Sequence, residues 1–312
     1  MAHSSLHSIN NRRAVLGAVY AFLAAVGFSG KAILVKLAYG YSVDAVTLLA
    51  LRMLFSLPFF ITIAVWSARN ASAVNLTARD WLSVVMLGLL GYYLSSLLDF
   101  LGLTYIPASL ERLILFLYPT MVVILSALFL ARRITGSVVV ALALSYAGIA
   151  LVFASDVSLG QRSVVIGAGL VFASTLTYAI YLIGSGQVIA KLGPARFTGY
   201  ALTVSCVAVV LHFGIVNAPA ALIQPLPVYG MALAMALFST VLPALLLAEG
   251  MRRIGADKTS IIGSTGPVAT IFLAHLFLGE SLSVIQVAGA ALVLAGVLFI
   301  SLRKGSREWR RQ

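Results

Sequence analysis

Charged residues are scarce in this sequence, and acidic residues are the scarcest among them. Asp, Glu, Lys and Arg make up 10% of the 312 residues, whereas 61% are hydrophobic and the mean hydropathy is +1.06. Soluble domains carry roughly 25% charged residues, so this composition excludes a soluble globular protein. In a soluble chain, the net charge of +12 would indicate a nucleic-acid partner. Here the basic residues lie in short segments between apolar runs, which is typical of membrane topology signals and argues against nucleic acid.

Groups that carry enzyme chemistry are also sparse. The single cysteine, Cys206, excludes an intrachain disulfide, and the histidines do not cluster with acidic residues at metal-ligand or catalytic spacing. No Walker-type GxxxxGK[ST] motif is present, which argues against ATP hydrolysis by this chain. We therefore expect no catalytic residues, no metal and no cofactor. A cleavable signal peptide is not expected either, because the first apolar run is too long and lacks a small-residue cleavage site.

Apolar runs of membrane-crossing length are abundant. A helix needs about 20 mostly apolar residues to cross the hydrocarbon core of a bilayer. Measured against that length, the sequence predicts an all-α integral membrane protein with ten transmembrane helices. The predicted spans are residues 14–37, 43–66, 81–104, 108–130, 135–153, 164–190, 197–216, 228–248, 259–278 and 284–302.

The basic residues orient the predicted bundle. Most Lys and Arg residues fall near the two termini and in alternate connections, whereas only Lys36, Arg112 and Arg162 fall on the opposite side. Lys and Arg concentrate in cytoplasmic loops of membrane proteins. Both termini are therefore expected in the cytoplasm, with residues 1–13 and the basic residues 303–312 as tails.

An internal repeat divides the chain. The segment YIPASLERLILFLYPTMVVILSALFLARR, residues 105–133, aligns without a gap with RIGADKTSIIGSTGPVATIFLAHLFLGES, residues 253–281, and pairs Pro119 with Pro267. Residues 14–153 and 164–302 are then two five-helix repeats, and the second copy is inverted because five is odd. Inverted repeats around a central cavity are typical of secondary transporters, whose substrate binds near the midplane.

These features resemble a known family. Proline-centred fourth spans in both repeats, LFLGE at residues 276–280, Gly289 and Gly296 in the last span, and Arg52 early in the second span resemble the ten-helix EamA type of the drug/metabolite transporter superfamily. Within it, the bacterial exporters of aromatic amino acids are the most similar. The resemblance implies a multi-pass protein of the bacterial inner membrane that exports amino acids and related metabolites. The first repeat has LARR where many relatives have LGE in both, so Glu280 is expected to be structural.

Polar residues inside the spans indicate a substrate path. Such side chains are costly in lipid, so they normally face a cavity or a partner. Helical spacing aligns them into stripes on the third and sixth spans. Tyrosine rings there would stack on a planar side chain, while hydroxyl and charged groups would orient a zwitterion. The substrate-path candidates are Lys31, Tyr92, Tyr93, Ser95, Ser96, Asp99, Tyr118, Ser174, Tyr178, Tyr181 and Ser264.

Helix breakers in the repeated spans predict hinges. A kinked helix frees carbonyl groups that only protein or water can satisfy, and the kink allows movement. The hinge or gate candidates are Pro119, Gly263, Gly266 and Pro267.

Candidate proton-coupling groups are Asp99, Glu111 and His275. Two alternatives stay open at this point. Lys31 and Asp99 form either a structural ion pair or a coupling site, and His275 either packs through a hydrogen bond or relays protons.

The leading hypothesis is a secondary transporter that exports amino acids, aromatic or hydrophobic ones first, by alternating access. Its expected partners are the small-molecule substrate and membrane lipid. The alternatives are an exporter of another metabolite or of a cationic drug in the same superfamily, or a passive channel. The sequence leaves open whether transport is proton-coupled or facilitated, and whether the protein is a monomer or a dimer.

Overall fold

The computed structural model describes residues 2–69, 76–130, 136–157, 162–263, 266–281 and 283–308, and every regular element within them is helical. The α-helices are α1 (Ala2–Tyr39), α2 (Ala45–Arg69), α3 (Ala78–Gly88), α4 (Ser95–Leu103), α5 (Ala108–Leu115), α6 (Tyr118–Leu130), α7 (Gly136–Val157), α8 (Arg162–Leu192), α9 (Pro194–Val216), α10 (Leu226–Ala236), α11 (Leu242–Gly263), α12 (Gly266–Leu278) and α13 (Val284–Glu308). Leu89–Leu94 and Leu237–Val241 are π-helical segments, and Pro219–Leu222 is a short 3-10 helix.

These segments form ten helical rods, as the sequence predicted. The π segments join α3 to α4 and α10 to α11, and α5 and α6 together make the fourth rod. Among the described residues, six helices are long and apolar enough to cross a membrane, and shorter apolar helices lie in the predicted fifth, ninth and tenth spans. The outermost helices extend into the residues predicted as tails, since α1 begins at Ala2 and α13 ends at Glu308.

The connection predicted between the eighth and ninth spans is helical instead. In the first half, α4 and α5 are separated by a turn that ends at Pro107, and a proline disfavours helical backbone at the residue before it. The equivalent residue in the second half is Gly255, which imposes no such block. Helix α11 therefore continues through the predicted connection and ends only at Gly263.

The two halves carry the same irregularities at equivalent positions. The π segments begin at Leu89 and Leu237, which are related by the same shift that pairs the two prolines of the sequence repeat. The break between α5 and α6 likewise coincides with the break between α11 and α12. Most helices have neither π turns nor breaks, and π turns occur frequently at functional sites. The repeat is therefore a repeat of three-dimensional structure as well as of sequence.

The halves pack against each other through matching pairs of helices. Helix α1 packs on α11 and α12 of the second half, and α8 packs in the equivalent way on α4, α5 and α6 of the first half. Helix α7 packs on α13 through glycines, because a Cβ added to Gly148 would lie 2.5 Å from the carbonyl oxygen of Gly289. Small residues of this kind allow close approach of membrane helices.

We expect Gly148→Ala to lower the free energy of unfolding by about 1–3 kcal/mol, since the new methyl group would overlap a backbone oxygen. The matched control is Gly169→Ala on α8, where the added Cβ would meet no described atom within 4 Å. There the higher helix propensity of alanine favours stability by up to about 1 kcal/mol. Thermal unfolding in detergent, followed by circular dichroism, measures both changes. Equal shifts for the two variants would disprove close packing of α7 on α13.

Candidate functional site

Lys31 of α1 pairs with two carboxylates inside the bundle. Its Nζ donates hydrogen bonds to Oδ2 of Asp99 on α4 and, at 3.0 Å, to Oε1 of Glu111 on α5. The exposed fractions of the Lys31, Asp99 and Glu111 side chains are 13%, 3% and 0%. Buried charges are costly unless they are paired, so this network allows three ionisable groups to lie among apolar helices. The ion pair that the sequence left open is present, and Glu111 belongs to it.

Two arginines complete a central charged cluster. Arg52 of α2 is buried, donates from Nε to Oγ1 of Thr240 at 2.9 Å, and places its guanidinium 5.4 Å from the ring centre of Phe100. Arg112 of α5 packs against the first residue of α12, because a Cβ added to Gly266 would lie 2.5 Å from its Nη2. We call Lys31, Arg52, Asp99, Glu111 and Arg112 the central charged cluster.

One turn of α1 brings the parts of this cluster together. The Ser29 hydroxyl donates to the carbonyl oxygen of Gly266 at 2.9 Å. Gly266 is also the residue against which Arg112 packs. Gly30 faces Ser239. The next residue, Thr240, accepts the hydrogen bond from Arg52. Lys31 then binds both carboxylates. Three consecutive residues of the first half thus contact four other helical segments.

Four tyrosines from both halves form a second group, the tyrosine cluster. The ring centres are 5.2 Å apart for Tyr92 and Tyr181, 5.7 Å for Tyr178 and Tyr181, and 5.7 Å for Tyr118 and Tyr178. These distances and the edge and stacked geometries are typical of favourable aromatic pairs. The structure therefore brings together four of the five tyrosines that the sequence selected.

The tyrosine cluster adjoins the charged cluster at both arginines. Tyr92 lies within electrostatic range of Arg52, and Tyr178 lies within electrostatic range of Arg112. Along the chain, Phe116 follows Arg112 by about one helical turn, and its ring contacts that of Tyr118 at 5.9 Å. An aromatic surface and buried charges of both signs therefore meet at the interface between the halves.

Other predicted path residues lie elsewhere. The Tyr93 hydroxyl is 3.1 Å from Nδ1 of His212 on α9, outside the tyrosine cluster. Ser95 and Ser174 bind each other, with their hydroxyl oxygens 3.0 Å apart, so they join α4 to α8. Ser96 is half-buried. Ser264 lies outside the described residues.

His275 is exposed near the end of α12, where its Nδ1 lies 2.9 Å from the carbonyl oxygen of Glu280. It makes this local contact rather than one with the central charged cluster. His275 thus makes a hydrogen bond at the exposed end of α12, and its role as a proton relay stays a prediction.

The breaks predicted as hinges are present in both halves. Pro119 and Pro267 are the second residues of α6 and α12, where a proline costs little because the first N–H groups of a helix have no intrahelical partner. A hydroxyl from the opposite half donates a hydrogen bond to a carbonyl oxygen beside each break. Ser29 of α1 binds the start of α12, and Thr175 of α8 donates to the carbonyl oxygen of Ile114 at 3.3 Å.

Glu280 caps the first helix of the fourth rod. Its carboxylate accepts hydrogen bonds from the backbone N–H groups of Ala108 at 2.8 Å and Ser109 at 3.2 Å, and from the Ser109 hydroxyl at 2.6 Å. A negative charge is favourable at a helix N-terminus, where N–H groups lack intrahelical partners. The structural role expected for Glu280 is confirmed.

Sequence reasoning missed Arg112 as a site residue. Its position near the start of a predicted span placed it among the basic residues of the connections. Helix α5 begins at Ala108, as the predicted span does, but Glu111 is buried and Arg112 is half-buried against α12. The signal was available in the motif SLER at residues 109–112, since two adjacent charges at the start of an apolar helix need partners.

Comparisons with known proteins agree with this architecture. The model of the EamA-like transporter family matches the chain twice, over residues 15–154 and 165–302. The sequence is 32% identical to the uncharacterized transporter YcbK of Bacillus subtilis, over 95% of this chain and 97% of that protein. It is 29% identical to the "Probable terminal-alkyne amino-acid exporter" of Streptantibioticus cattleyicolor, over 72% and 75% of the two chains. A solved crystal structure with 18% identity superposes with a TM-score of 0.65 and covers 92% of this chain and 96% of that one.

We expect Lys31→Met to lower the free energy of unfolding by about 3–5 kcal/mol, because Asp99 and Glu111 would lose the ammonium group that compensates their burial. Thermal unfolding in detergent measures the loss. The control combines Lys31→Met with Asp99→Asn and Glu111→Gln, which removes the two unpaired carboxylates and should recover part of the stability, because Arg52 then loses the nearby charge of Asp99. If Lys31→Met alone were as stable as the wild type, the ion-pair network of Lys31, Asp99 and Glu111 would be contradicted.

Proposed function

The chain belongs to the EamA-like transporter family, and on that premise we propose that it exports amino acids, aromatic and hydrophobic ones first, across a bacterial inner membrane by alternating access. As a membrane transporter of this type it needs a site that holds its substrate away from lipid. In this proposal the substrate binds where the tyrosine cluster meets the central charged cluster.

The observation that carries the proposal is this meeting of aromatic rings and buried charges at the interface between the halves. A free amino acid presents both charges and, in the aromatic cases, a planar ring. Aromatic side chains hold such a ring by stacking, and a small number of placed polar groups fix its orientation. The relative from Streptantibioticus cattleyicolor, whose name describes an amino-acid exporter, supports the same class of substrate.

Alternating access is supported by the symmetry of the breaks. Each half has a helix break at the equivalent position, and a hydroxyl from the other half donates to a carbonyl oxygen beside each break. Inverted repeats that rock about a site at their interface are a common way to expose that site to each side in turn. In the proposed topology, both termini lie in the cytoplasm.

Uptake into proteoliposomes tests the proposal. Vesicles loaded with unlabelled phenylalanine should take up labelled phenylalanine in a saturable way, because a carrier exchanges substrate through a limited number of sites. Vesicles without the protein are the control. Tyrosine, tryptophan, alanine and cationic drugs serve as competitors. The same assay with and without a pH gradient separates proton-coupled from facilitated transport. If no amino acid entered the vesicles or competed, the proposal that the substrate is an amino acid would be wrong. The assignment to the family would still stand.

We expect Tyr178→Ala to raise the half-saturation concentration for phenylalanine by roughly two- to tenfold, the equivalent of about 0.5–1.5 kcal/mol for a lost aromatic pair. The change for alanine should be smaller, since its side chain has no ring to stack. Tyr41→Ala is the matched control, because Tyr41 is exposed and follows the end of α1. An equal effect on both substrates would place the binding site away from the tyrosine cluster.

A further inference from the structure

We propose that the central charged cluster recognises its substrate by a carboxylate, which Arg52 and Arg112 bind, and that a free amino group on the substrate is not required. The cargo would then include aromatic carboxylates without an amine as well as amino acids. This inference rests on the proposed function, since it concerns the same site.

The charge balance of the cluster is the first support. Three cations, Lys31, Arg52 and Arg112, face two carboxylates, Asp99 and Glu111. Lys36 interacts with Glu280 and also with Glu111, and counting Lys36 together with Glu280 leaves the balance unchanged. The cluster therefore holds one positive charge in excess. A proton held between the two carboxylates would enlarge this excess, so the sign does not depend on their protonation.

Free hydrogen-bonding capacity lies on the arginines. Among the described residues, Nη1 of Arg52 and Nε of Arg112 are buried without a hydrogen-bond partner. Buried polar groups in proteins are nearly always hydrogen-bonded, so such donors indicate a ligand or solvent acceptor. Arginine presents its donors in a planar fork that matches a carboxylate, which is the acceptor we assign to them.

The acidic side of the cluster is already engaged by the protein itself. The Lys31 ammonium contacts both Asp99 and Glu111, and these two carboxyl groups also interact with each other. Each has one buried oxygen without a partner among the described residues, but that oxygen belongs to a group whose charge Lys31 compensates. A substrate ammonium would have to compete with Lys31 for this charge. A substrate carboxylate would meet arginines whose anionic neighbours, Asp99 and Glu111, are already bound by Lys31.

The position of the arginines beside the tyrosine cluster sets the chemical class. Arg52 interacts electrostatically with Tyr92, and Arg112 interacts electrostatically with Tyr178. A ligand that places its carboxylate at the arginines can therefore place a ring among the tyrosines. The geometry points to aryl carboxylates with a short spacer between ring and carboxylate.

Two analogues of phenylalanine test this inference on the wild-type protein. Uptake of labelled phenylalanine is measured against 3-phenylpropanoate, which lacks the amine, and 2-phenylethylamine, which lacks the carboxylate. We expect 3-phenylpropanoate to compete, and 2-phenylethylamine to compete at least about tenfold less well, because it leaves the charged donors unpaired. Equal or better competition by the amine would overturn the inference.

Ligand-induced thermal stabilisation of the purified protein gives a second readout that needs no transport. A ligand that binds the folded state raises its stability by an amount that grows with the logarithm of the ligand concentration divided by Kd. Stabilisation by 3-phenylpropanoate without uptake of phenylalanine would refute the proposed function and support carboxylate recognition. Uptake of phenylalanine with neither competition nor stabilisation by 3-phenylpropanoate would support the proposed function and overturn carboxylate recognition. Failure of all three compounds to bind would overturn both.

Variants assign the effect to the arginines. Arg112→Met should lower the affinity for 3-phenylpropanoate, obtained from the concentration dependence of the stabilisation, about tenfold or more, whereas Arg112→Lys, which keeps the charge, should lose less. The control is Arg196→Met, because Arg196 also lies over an aromatic ring, that of Tyr200, but away from the cluster. Unchanged binding of 3-phenylpropanoate by folded Arg112→Met would remove Arg112 from the assignment.

Discussion

The ammonium group of Lys31, buried between Asp99 and Glu111, fixes three helices of the first half at one point. Each of these groups tolerates burial only because the others are present, so α1, α4 and α5 must meet there. The same turn of α1 binds the break of the second half through Ser29. A single set of electrostatic contacts thus determines where the two halves join and, with them, where the tyrosines face each other.

Local signals in the sequence predicted the rods and their breaks, but not the partners of the site residues. Apolar length and paired prolines act within one helix, which is why ten rods and both interruptions could be predicted. The polar stripe of the third rod assumed a regular α-helix, whereas the π segment Leu89–Leu94 adds a residue to that turn and changes the faces. Tyr93 consequently meets His212, and Ser95 meets Ser174, while Asp99 reaches Lys31. Contacts between distant helices depend on packing that a single sequence does not display.

The fold and the site carry different information. A chain of 18% identity shares the fold over most of its length, and unrelated cargoes can share one fold. Cargo must therefore be decided by side chains at the interface between the halves. At the proposed site, four aromatic rings lie with five ionisable groups, and the excess charge is positive. The inference about carboxylates follows from that excess and from the arginine donors, independently of the fold.

The cap formed by Glu280 has a mechanical consequence. Helix α12 ends at Leu278, the chain turns at Gly279 with a φ of +65°, and the next carboxylate grips the start of α5. Helices α5 and α12 also pack side by side, so each is fastened to the other near one end and along its length. Helices α5 and α12 are therefore attached to each other and are expected to move together. If α12 moves about its break in the proposed alternating-access cycle, this attachment would carry α5 with it.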